Sequence, residues 1–102
     1  MFITITTSKV KPDQSDMVEE FLEGYLPKVG KLPGVMAVYH YNRPKNDDDS
    51  TIIGWKDVKS LEAYREGDLI KEAMDFMRKL GSESVMEAYP LAYPAEDDNI
   101  EI

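Results

Sequence analysis

The sequence predicts one α+β domain with the element order β-α-β-β-α-β, and three observations carry that prediction. Four runs alternate as strands do, two longer stretches repeat at helical spacing, and Gly or Pro breaks stand between them. The 102 residues leave room for one such domain, here 1–94, followed by an acidic tail over 95–102.

Phe2 to Lys9 is rich in Ile and Thr and reads as the first strand, with Ile3, Ile5 and Thr7 on one face and Phe2, Thr4, Thr6 and Ser8 on the other. Pro12 closes it, because proline cannot donate to a ladder. Asp13 or Ser15 offers a helix cap, and Met17/Val18, Phe21/Leu22, Tyr25 and Val29 recur at amphipathic spacing. Gly24 and Pro27 predict a kink or an early end near Leu26. After Pro33-Gly34, Val35 to Arg43 reads as the second strand. Pro44 to Ser50, with Asp47, Asp48 and Asp49, reads as a solvated turn, and Thr51 to Trp55 as a short third strand. Asp57 to Leu80 predicts a helix in two pieces divided at Gly67, with Gly81 as its stop. Val85 to Tyr93 alternates again as the fourth strand.

This order is the split βαβ pattern of ferredoxin-like domains, in which right-handed crossovers put both helices on one face of a four-stranded antiparallel sheet. The other face is bare, although strand residues on both faces are substantially apolar or aromatic, among them Phe2, Val35, Val38, Tyr39, Tyr41, Ile52, Ile53 and Tyr89. A bare apolar sheet asks for a partner, and a two-fold homodimer with sheet facing sheet closes it into a dimeric α+β barrel.

Composition narrows the partners. Twelve basic residues against 20 acidic ones, a net charge of −8, disfavour nucleic acid and anionic membrane surfaces. With no cysteine there is no disulfide, thiolate nucleophile, Cys-ligated zinc or iron–sulfur cluster. The N-terminus lacks the basic start and long apolar run of a signal peptide, and no stretch approaches membrane-spanning length, so a cytoplasmic location is expected.

The whole pattern resembles the antibiotic biosynthesis monooxygenase type of small dimeric α+β barrels. The resemblance rests on a first strand ending near Pro12, Pro33-Gly34 before strand two, Trp55-Lys56-Asp57 closing strand three, and Leu61, Ala63 and Tyr64 at the start of the second helix. It implies a monooxygenase acting on a small aromatic or quinol-like molecule without cofactor. The same scaffold also carries cyclases, isomerases and proteins without known activity, so a non-catalytic ligand-binding or interaction dimer is the alternative. Haem-degrading relatives use an Asn on strand one, and a Trp then a His on the second helical region. Here strand one has no Asn, Tyr64 stands at the Trp position and Met74 at the His position, so neither haem nor a metal is expected.

His40, the only histidine, is the natural general base near neutral pH, and Tyr64 occupies a family pocket position where its hydroxyl could hold a phenolic oxygen. Trp55, Tyr39 and Tyr41 are candidate pocket walls, and Arg65 a candidate partner for an anionic substrate. Each also has a structural reading: a satisfied sheet histidine, core aromatics, an exposed helix arginine. The Asp47–Asp49 run lacks the spacing of a calcium loop, and Met74 and Met77 fit helix packing.

Overall fold

A computed structural model describes residues 1–91. Its elements are β1 (Phe2–Lys9), α1 (Ser15–Gly30), β2 (Val35–Arg43), β3 (Asp48–Trp55), α2 (Val58–Glu66), α3 (Asp68–Lys79) and β4 (Ser84–Pro90). The four strands form one antiparallel sheet in the order β2-β3-β1-β4, as the split βαβ reading requires. The expected continuation of β4 to Tyr93 and the acidic segment 95–102 lie outside the described residues.

Helix α1 corrects two expectations. Neither Asp13 nor Ser15 caps it; Gln14 holds the N-cap position, and its side chain instead donates to the Leu80 carbonyl at the end of α3, 2.9 Å away. The early end near Leu26 is the second, since the helix runs through Pro27 to Gly30. An interior proline costs roughly 3 kcal/mol, but Tyr25 and Val29 flank it and are both buried. Burying such side chains is worth about 1.5–3 kcal/mol each, which holds the last turn in helical form.

Two glycines hold left-handed conformations that glycine adopts without strain. Gly34 has φ +82°, and a Cβ there would lie 2.5 Å from Ser60 Cβ, so the turn into β2 can press against α2. Gly81, at φ +72°, ends α3 in a Schellman motif: the Ser82 amide donates to Met77 O and the Gly81 amide to Arg78 O, each at 3.0 Å. At the other helical join, Asp57 caps α2 by accepting from the Ser60 amide at 2.8 Å, and Gly67 separates α2 from α3 as the sequence predicts.

The largest correction is at the β2–β3 connection. A short 3-10 turn over Pro44–Asn46 and one left-handed residue, Asp47 at φ +54°, suffice. Asp48, Asp49 and Ser50 belong to β3 and are buried, not solvated. Carboxylates are depleted in strands; these two are held because each finds a partner on its own face. Asp48 lies 2.5 Å from Lys9 Nζ and 2.7 Å from Arg43 Nη2, and Asp49 meets His40.

The core gathers Tyr25, Val29, Ile53, Trp55, Leu61 and Tyr64 between sheet and helices. Trp55 is completely buried, its indole N–H donating to Thr4 Oγ1 at 3.0 Å. Away from the helices, the register lines up Tyr39–Ile52–Ile5 and Tyr41–Ser50–Thr7–Val85 across the sheet. Tyr39 is 65% exposed and Val85 61%. Among the described residues no helix is long and apolar enough to cross a membrane.

Candidate functional site

The strand register decides which side chains share the helix-facing side. His40 stands opposite Thr51, Thr51 opposite Thr6, and Thr6 opposite Met86; the neighbouring row holds Asp49, Ser8 and Ser84. Hydroxyls, one carboxylate and one imidazole therefore pave this end of the sheet. Above them α3 carries an apolar stripe, yet none of its residues is buried. It leans on α1 through Phe76, whose ring stacks on Phe21 with centroids 4.1 Å apart. What lies between is a cavity of about 670 Å³, with the polar strand residues as floor and Phe21, Leu22, Ile70, Met74 and Met77 as roof. A volume of this order takes a drug-sized molecule.

His40 enters the floor with one ring nitrogen hydrogen-bonded and the other beside a carboxylate. Nε2 lies 3.0 Å from Asp49 Oδ1 and Nδ1 lies 3.1 Å from Thr51 Oγ1. The side chains of His40 and Asp49 are only 22% and 11% exposed. Asp49 Oδ1 has no hydrogen-bond partner among the described residues, so the contact is a close approach of charge, which favours a hydrogen on Nε2.

Tyr64 reaches the same cavity from α2. Its ring packs on Trp55 at 5.3 Å between centroids, and its oxygen lies 2.7 Å from the hydroxyl of Tyr25 on α1. Burial raises the pKa of both phenols; for Tyr25 the hydrogen bond to Tyr64 raises it further, whereas for Tyr64 the bond from Tyr25 works the other way. Either hydroxyl can donate across this contact, and whichever accepts keeps its own proton for another partner.

The site residues expected from sequence thus separate into two groups. His40 and Tyr64 line one cavity, and Arg65 borders it from an exposed position on α2. Trp55 does not line it, being sealed behind Tyr64. Tyr39 and Tyr41 are on strand positions that alternate with His40, so they emerge on the opposite face and also do not reach the cavity. Met74, read as packing, is 51% exposed and lines the roof. Asp49, Thr51 and Tyr25 went unread: Asp49 was hidden in an apparent turn, Thr51 in a strand pattern and Tyr25 in a helical stripe. The two-residue spacing of Asp49 and Thr51, which puts both on one face of a strand, was the available signal. Among the described residues, no three His, Cys, Asp or Glu side chains gather as a metal site.

No family model matches the chain, and no curated protein matches it in sequence. Solved structures do. A protein from Deinococcus radiodurans, provisionally described as an antibiotic biosynthesis monooxygenase, superposes with a TM-score of 0.85 at 11% identity, over 95% of this chain and 98% of that one. A variant of SnoaB, a cofactor-independent oxygenase from Streptomyces nogalater, gives 0.76 at 12% identity, over 94% and 98%. A protein of unknown function from Nitrosomonas europaea gives 0.79 at 17% identity, over 96% and 95%. The chain has the ferredoxin-like fold of the antibiotic biosynthesis monooxygenase type. At such identities the likeness is one of fold, and chemistry has to be argued from the site.

Proposed function

We propose that this chain is a monooxygenase of a small aromatic or quinol-like substrate that works without a cofactor, as a homodimer joined through the bare sheet face. One observation carries the reading: a cavity of about 670 Å³ with an apolar roof and a polar floor brings His40 and Tyr64 to the same space. A flat hydroxylated ring suits those walls. Tyr64 orients its oxygen, and loss of a proton toward His40 makes the ring electron-rich enough to react with dioxygen. Arg65 borders the mouth and favours the anion so formed. The fold likeness to a cofactor-independent oxygenase supports the reading.

Oxygen uptake with a panel of quinols tests it. His40→Ala and Tyr64→Phe are expected to remain folded and to lose turnover by about a hundredfold each, as for removal of a positioned acid or base. Wild-type rates in both variants would remove these residues from the mechanism. A ligand-binding dimer without turnover is the second reading, favoured by the placing of both His40 nitrogens against residues of the sheet, Thr51 and Asp49. Under it, the quinols bind and no oxygen is consumed. For assembly, light scattering at micromolar concentration is expected to give twice the 11.6 kDa chain mass, and a single chain mass would refute the dimer.

A further inference from the structure

We infer that Thr51 is the group through which His40 takes the substrate's proton, and that Asp49 is the positioning residue that makes this possible; the inference rests on the oxygenase reading above. The Asp49 carboxylate 3.0 Å from Nε2 makes no directed hydrogen bond there, but its negative charge favours a hydrogen over a lone pair on that nitrogen, which places the lone pair of neutral His40 on Nδ1. That nitrogen faces Thr51 Oγ1 at 3.1 Å, and Thr51 must then be the donor. Nδ1 is taken by Thr51 and Nε2 faces Asp49, whereas Thr51 lines the cavity and its oxygen keeps a lone pair for a ligand. The transfer is a two-proton relay. A phenolic O–H breaks as its proton passes to Thr51 Oγ1, while the proton already on that oxygen moves to Nδ1. The products are a phenolate in the cavity and an imidazolium against Asp49, with Thr51 restored and no change in oxidation state.

The same three residues do not form an acyl-transfer triad. That chemistry needs backbone or side-chain donors aimed at an oxyanion, and β3 is laddered on both sides, by β2 and by β1. The cavity's other titratable or charged groups are Tyr25 on α1, Tyr64 and Arg65 on α2 and Arg78 on α3, and Arg78 is paired with Asp75 at 3.1 Å. None stands between Thr51 and His40.

A single histidine makes the test direct, because imidazole nitrogen-15 spectra of the whole chain report His40 alone. At pH 8 a neutral ring protonated on Nε2 is expected. Asp49→Asn should move that proton to Nδ1, since an amide can donate to Nε2, and Thr51→Val should shift the Nδ1 resonance while leaving the tautomer unchanged. A wild-type ring protonated on Nδ1, or still an imidazolium at pH 8, overturns the relay whatever the protein's activity. Oxygen uptake with 1,4-dihydroxynaphthalene then separates the two claims. No uptake by the wild type refutes the oxygenase reading and leaves the spectra to decide the relay. With uptake, Thr51→Val is expected to lose on the order of a hundredfold, Thr51→Ser to recover most of it, and Asp49→Asn to displace the pH profile. An active Thr51→Val with the wild-type rate and profile refutes the relay alone.

Discussion

Trp55 and His40 stand on neighbouring strands, both directed toward the helices, and their surroundings are opposites. Around Trp55 the layers are filled: Thr4 takes its indole proton, Tyr64 covers its ring, and Val29 and Leu61 complete the packing. Around His40 the floor is polar and α3 spans it without burying a residue. One end of the sandwich spends its apolar surface on cohesion, and the other keeps that surface available. A domain of this size has a small core, so concentrating cohesion at one end is what lets the other stay open.

The sharpest way to break this contrast is Trp55→Ala. It should cost about 3–5 kcal/mol, as for removal of a large buried aromatic, read as a shift in the urea midpoint. His40→Ala should cost far less, and similar losses for the two would mean that the ends are not different in kind. A smaller effect concerns the helices. Hydrogen exchange should show α3 opening more readily than α1 by on the order of 1 kcal/mol, because α1 buries Val18, Tyr25 and Val29 and α3 buries none. Equal protection would show that α3 is as firmly seated as the core.

The smallest effect is on the side away from the helices. Lys9 first and Arg43 second hold the Asp48 carboxyl below the usual carboxylate range. The unfolded chain therefore takes up that proton at a higher pH than the folded one. The stabilisation is complete above about pH 4 and is lost as pH falls through the folded value. Asp57, held down by the Ser60 amide, titrates in the same window. Asp48→Asn should flatten part of the decline in urea midpoint between pH 5 and 3, and parallel curves for variant and wild type would count against the clamp.

How much of this could be read beforehand follows the same division. The packed end was legible: alternation placed Thr4 and the strand around Trp55, and helical spacing placed Val18, Tyr25 and Val29. Breakers placed the joins at Gly34, Gly67 and Gly81. The open end was half legible. His40 and Tyr64 were visible as residue types, but their meeting at one cavity depends on pairing strands far apart in sequence. Asp49 was obscured because three consecutive carboxylates look like a solvated turn until Lys9, Arg43 and His40 are brought beside them. Tyr39 and Tyr41 were ambiguous for a simpler reason: alternation separates them from His40 but does not say which face the helices cover.

The run Asp47–Asp49 has a further consequence, for strand alignment. Were β3 to slide by one residue so that Asp47 took the place of Asp48, the Lys9–Arg43 clamp would still hold a carboxylate, and Asp48 would stand before His40. Ile52 would replace Ile53 at little loss. The polar end is thus nearly indifferent to this slip, and the aromatic end is not: Gly54 would fall into the place filled by Trp55, and the indole would turn to the bare face. The identity of the aspartate that meets the imidazole is therefore decided at the far end of the strand, by a tryptophan that does not line the cavity.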